Sequence, residues 1–190
     1  MEHGKLKLGK SSAFVKRRLL WQPQTSLVLE ADFCPLPGIC GGRLWSGMAV
    51  RQWNGDIQAL EILEHVPTVN DLADLLARAM QSPLSDEGRG RSEGIQLRDN
   101  PEWEGLFPHL AQLKIEVVVT EALPNWDEAA VELTRYLQAW WTSREGRRSI
   151  SKAELGYEDE MLDLKIAAIM FPCQHRARRG AGKAKQADES

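Results

Sequence analysis

The chain has 190 residues, 43% of them hydrophobic and 27% charged, with 24 Lys and Arg against 27 Asp and Glu. That composition is ordinary for one folded domain with tails and excludes a largely disordered chain. No apolar run approaches the roughly 18 residues a bilayer crossing needs. The basic N-terminus also lacks the apolar stretch and small-residue cleavage site of a secretory signal. The net charge of −3 conceals an asymmetry. Residues 1–29 hold Lys5, Lys7, Lys10, Lys16, Arg17 and Arg18 against Glu2 alone, and residues 172–190 hold five cations against Asp188 and Glu189. Two basic arms therefore flank an acidic body. Three cysteines, Cys34, Cys40 and Cys173, are too few for a disulfide framework, and a cytoplasmic location is the expectation.

The first predicted element is a strand over 26–33, where Leu27, Leu29, Ala31 and Phe33 alternate with Val28, Glu30 and Asp32. A Pro-, Gly- and Cys-rich loop follows. Leu44–Trp53 and Asp56–Val66 then flank Asn54-Gly55, which predicts a hairpin closed by a two-residue type I′ turn. Thr68 is placed to cap a helix, with Asp71 at its third position and Val69, Leu72, Leu76, Ala79 and Met80 as its apolar stripe.

A polar, Gly-rich loop over 82–94 leads to a short strand, IQLR at 95–98. Asn100-Pro101 starts a helix that Pro108 should split in two. IEVVVT at 115–120 is strongly β-branched and predicts a strand. Leu123-Pro124-Asn125 opens a third helix, whose Trp126, Ala130, Leu133, Leu137 and Trp140 form one face. A last helix is expected near 158–170, apolar around much of its circumference. The division this suggests is a basic arm over 1–25, an α/β core over 26–142, a linker and helix over 143–171 and a disordered basic tail over 172–190.

The order βββαβαβα predicts a mixed five-stranded sheet with helices on both faces, antiparallel early and parallel later, plus an extra C-terminal helix. In topology it resembles the ribonuclease H-like core of nucleases and integrases. The stretch from Glu30 to Leu137 also resembles an uncharacterised bacterial domain family, often cyanobacterial. The segments that carry this are EADFCPLP, GMAVRQWNGDIQALEIL, RAMQSP, GIQLRD and, above all, LKIEVVVTEALPNWDEAAVEL. That resemblance implies a fold and no catalytic residues.

The chemistry that the ribonuclease H-like resemblance would bring is a two-Mg²⁺ carboxylate site. Its acids would fall at Asp32, Asp99 and Glu128. Each has a structural competitor. Asp99 precedes a helix start, Glu128 follows Asn125 at capping-box spacing, and Asp32 ends its strand. Cys34 with Cys40, and Cys173 with His175, do not match zinc spacing. No serine sits in a nucleophile elbow, and no Gly-rich nucleotide motif follows a strand.

The balance falls against an enzyme and toward an interaction module that needs no cofactor, with Mg²⁺ entering only under the alternative. Its partner would be an unidentified protein or a second copy of the chain. The contact residues would be the exposed Trp53 and Trp141, with Arg147 and Arg148 beside them. Nucleic acid is an expected further partner of the basic termini.

Overall fold

The computed structural model of the protein describes residues 19–36, 44–84 and 89–142. Both basic arms up to Arg18 and beyond Thr142, the expected helix at 158–170, Arg147, Arg148 and the side chain of Trp141 lie outside the described residues.

Five strands form one sheet: β1 (Val28–Leu36), β2 (Leu44–Arg51), β3 (Ile57–Leu63), β4 (Gly94–Arg98) and β5 (Glu116–Thr120). Their spatial order is β3-β2-β1-β4-β5. β2 runs antiparallel to both β1 and β3, whereas β4 is parallel to β1 and β5 parallel to β4. Among the described residues the sheet is joined by α1 (Val69–Gln81), α2 (Phe107–Gln112) and α3 (Pro124–Thr142), with a 3₁₀ helix over Pro101–Leu106 leading into α2. This is the mixed sheet and connectivity of a ribonuclease H-like core.

The alternation of β1 sends its side chains into two separate cores. Leu29, Ala31 and Phe33 join α1, the 3₁₀ helix and α2 on one face, with Ile95 and Leu97 of β4. On the opposite face, Met48, Val50 and Leu60 pack under Trp126, Ala130, Leu133 and Leu137 of α3. β1 is thus covered on both sides, and its second face, which carries Glu30 and Asp32, is buried rather than wet.

Local chemistry explains several boundaries. Thr68 and Asp71 form a reciprocal capping box at the start of α1. Asn100 accepts from the Glu102 N–H at 3.0 Å and starts the 3₁₀ helix. Pro108 falls in the first turn of α2, so the predicted split occurs there.

Three expectations require correction. β1 continues through Pro35 to Leu36, where a loop was expected, because Cys34, Pro35 and Leu36 still face Ser46, Trp45 and Leu44 across the ladder. The hairpin forms, but its turn is longer than two residues. Among the described residues only Gly55 in this turn has positive φ, at 74°, so a type I′ turn is excluded. The Gly55 N–H instead closes onto Arg51 O, and Asn54 Oδ1 accepts from the Asp56 N–H at 3.2 Å. Finally, the capping box expected from Asn125 and Glu128 does not exist. α3 already begins at Pro124, and the Asp127 N–H bonds to Leu123 O.

Candidate functional site

Pro124 starts α3 without an N–H of its own, and the Trp126 amide of its first turn is met from across the core. Glu30 on β1 is 1% exposed, yet both of its carboxylate oxygens are engaged. Oε2 accepts from the Trp126 N–H at 2.7 Å and Oε1 accepts from Asn125 Nδ2 at 3.1 Å. Asn125 Nδ2 also donates to Gln52 O, and Trp126 Nε1 donates to Met48 O at 3.0 Å. A buried acid at a helix N-terminus receives orphan N–H groups and lies at the positive end of the helix dipole. Glu30 therefore caps α3 from a different element.

Two residues along the same face lies Asp32, 8% exposed. The parallel register pairs Ala31 with Leu97, which sets Arg98 of β4 beside it. Arg98 Nε donates to Asp32 Oδ2 at 2.7 Å and Nη1 donates to Glu121 O at 3.0 Å, while Nη2 donates to Asp127 Oδ1 in the first turn of α3. The guanidinium carbon also stands 5.5 Å from the centre of the Trp126 ring, a cation–π distance. One arginine thus ties the middle of the sheet to the start of α3.

The charges shape the local acidity. Burial raises the Asp32 carboxyl above its ordinary value, against the lowering effects of the Phe33 backbone hydrogen bond and of Arg98, with Asp127 adding a further rise. Cys34, next on this face, is pushed up to about 11 by burial and by the Asp32 charge, offset in part by Arg98. Its thiol is therefore protonated and a poor nucleophile at neutral pH.

The three acids singled out in the sequence are not brought together. Asp32 is buried against Arg98, whereas Asp99 lies just past β4 and is exposed, and Glu128 is exposed on α3. Among the described residues no group of three His, Cys, Asp or Glu side chains could hold a metal ion. The carboxylate of α3 that does reach the centre is Asp127, one residue earlier, and the β4 side chain that reaches it is a cation. Sequence reasoning missed both Arg98 and Glu30. The available signal was charge inside strands at matching parity: Glu30 and Asp32 share one face of β1, and Arg98 shares one face of β4 with Gln96.

Trp53 stands at the tip of the hairpin and is 74% exposed, as the sequence suggested. Trp103 and Trp126 are core residues, and Trp103 packs its ring 5.9 Å from Phe33. His65 lies within 3.2 Å of Asp71 at the surface, and among the described residues no third His, Cys, Asp or Glu completes a metal site there. No helix among the described residues is long and apolar enough to cross a membrane.

No family model matches the chain. No curated protein matches it either. Among solved structures it is similar to the catalytic core domain of BIV integrase, at 15% identity and a TM-score of 0.46, over 70% of this chain and 80% of that one. The assignment of the fold rests on the sheet's own order and pairing.

Proposed function

We propose that this protein is a non-enzymatic interaction module on a ribonuclease H-like core. The carrying observation is Arg98. Its guanidinium lies between Asp32 of β1 and Asp127 of α3, where a carboxylate-bound divalent cation would have to sit to bridge these elements. A fixed guanidinium fills the same electrostatic role, neutralising two acids and fastening a helix to a sheet. It offers no open coordination position and no activated water.

The alternative, a Mg²⁺-dependent nucleic-acid enzyme or degenerate relative using Asp32, Asp99 and Glu128, requires Arg98 to leave and two exposed acids to swing inward. The module reading needs no rearrangement. Its contact surface is the hairpin tip at Trp53, an exposed aromatic of the kind that anchors protein partners. The test is calorimetric titration of the full chain with Mg²⁺ and with Mn²⁺, beside Asp32→Asn and Asp99→Asn. The expected result is no saturable binding at millimolar metal. Binding that both substitutions abolish would overturn the proposal and restore the enzyme reading.

A further inference from the structure

β5 is an outermost strand, and among the described residues it pairs with β4 alone. One hydrogen bond fixes which backbone groups it leaves free. The Glu116 N–H donates to Glu93 O at 2.9 Å, toward β4. Backbone groups of successive strand residues face opposite edges. Glu116, Val118 and Thr120 therefore turn their N–H and C=O groups toward β4, and Val117 and Val119 present theirs outward.

The side chains are equally open. Val118 is 42% and Val119 44% exposed, on opposite faces of the strand. Protective devices at sheet edges include lysine, proline, a bulge or a covering element. The strand EVVVT contains no lysine, proline or bulge, and its only such guards are its five-residue length and the charge of Glu116.

We infer that a second copy of this chain pairs with β5, antiparallel and about a two-fold axis through Val118. Three constraints converge on that register. Antiparallel exchange needs outward-facing residues opposite each other, which excludes every register shifted by one residue. Centring on Val118 sets Val117 against the partner's Val119 and Val119 against the partner's Val117, so both outward residues of each strand exchange both of their hydrogen bonds. Shifts of two residues lose part of that overlap. Charge agrees, because Glu116 then faces the partner's Thr120 rather than a second carboxylate. A two-fold axis makes the same patch serve both copies, the commonest closed arrangement. The product is a continuous ten-stranded sheet in which Val118 meets the partner's Val118 on one face. This surface is separate from Trp53 and does not rest on the reading proposed above.

The test is light scattering of the full chain across a concentration series, with amide exchange at Val117 and Val119. The expected mass rises from 21.4 kDa to twice that value, and both amides become protected as it rises. Val119→Pro removes an outward donor without touching the bonds to β4. Val118→Lys sets two ammonium groups face to face. Each should move the monomer–dimer midpoint at least about tenfold higher, with the folded signal in circular dichroism retained. Val131→Lys, exposed on α3, should leave the midpoint unchanged. If Val119→Pro fails to fold, Val118→Lys decides. A monomer at every concentration overturns the inference, and so does a dimer indifferent to these substitutions. A monomer whose Val117 and Val119 amides are already protected also overturns it, in favour of another segment of the same chain on that edge.

Discussion

Arg98→Ala is the substitution that bears most directly on the centre of the molecule. It removes donors to Asp32, Asp127 and the Glu121 carbonyl, and a cation from the face of Trp126. These losses are unequal. The Asp127 side chain is 48% exposed and regains water, so its share is small. The Asp32 side chain is 12% exposed and cannot. Breaking a fully buried pair costs about 3–5 kcal/mol, and the partial exposure of Arg98 brings the expectation to about 2–3 kcal/mol at neutral pH. For a folded body of this size that corresponds to a fall in Tm of roughly 10 °C.

The pH dependence gives a sharper test. Burial already raises the Asp32 carboxyl in the folded state, and Arg98 is among the groups that lower it. Loss of Arg98 therefore raises it further. A carboxyl raised on folding makes the folded state bind more protons than the unfolded one, so its contribution worsens as pH rises through the window above 3.8. The Arg98→Ala deficit should be greatest at neutral pH and shrink on acidification through that window. Adding Asp32→Asn, which has no charge to strand, should recover most of the loss at pH 7. Urea unfolding at several pH values measures both effects. A deficit below about 0.5 kcal/mol, one independent of pH, or one that Asp32→Asn fails to relieve would refute the reasoning.

Other expectations follow from the same geometry. Glu30→Ala strands the Trp126 N–H and opens a space in the core, and should cost about 2–4 kcal/mol in denaturant unfolding, while Glu30→Gln keeps one acceptor and should cost less. Gly47→Ala would put a methyl group 2.6 Å from Phe33 Cδ1, so the Phe33–Trp103 pair must shift, and about 1–3 kcal/mol should be lost. In a Cys40→Ser/Cys173→Ser background, Cys34 should react with a disulfide reagent at pH 8 roughly a hundredfold more slowly than a free thiol, accelerating only as pH approaches about 11. Trp53→Ala should leave stability within about 0.5 kcal/mol and abolish retention of any protein partner held at the hairpin tip.

How far the sequence could be read depended on the range of the interaction. Thr68 with Asp71, Asn100 before Pro101, and Asn54-Gly55 all act within a few residues, and each placed its boundary well. The turn type at Gly55 was missed because Asn54 can serve a hairpin in two ways: by taking positive φ itself or, as here, by accepting the Asp56 N–H through its side chain. The start of α3 at Leu123-Pro124-Asn125 was legible, but its cap was missed for the opposite reason. Asn125 and Glu128 had capping-box spacing, but the cap came from Glu30, 96 residues away from the Trp126 amide it receives. No local pattern encodes that bond.

The same reasoning explains the candidate site. The ribonuclease H-like resemblance of the element order implied three acids on three elements, and those elements were identified correctly. Which side chain of each element turns inward depends on strand parity and register. Asp32 turned inward, but on α3 the inward acid was Asp127 rather than Glu128, and on β4 the inward residue was Arg98 rather than Asp99. Each slip is one residue long, yet together they replace a proposed cation site with a built-in cation. Arg98 holds β1, β4 and the first turn of α3 together through Asp32 and Asp127. Only the metal ion would also bring a water to activate. The module reading we propose therefore rests on the same residues that first suggested an enzyme, with Arg98 as the fastening between sheet and helix.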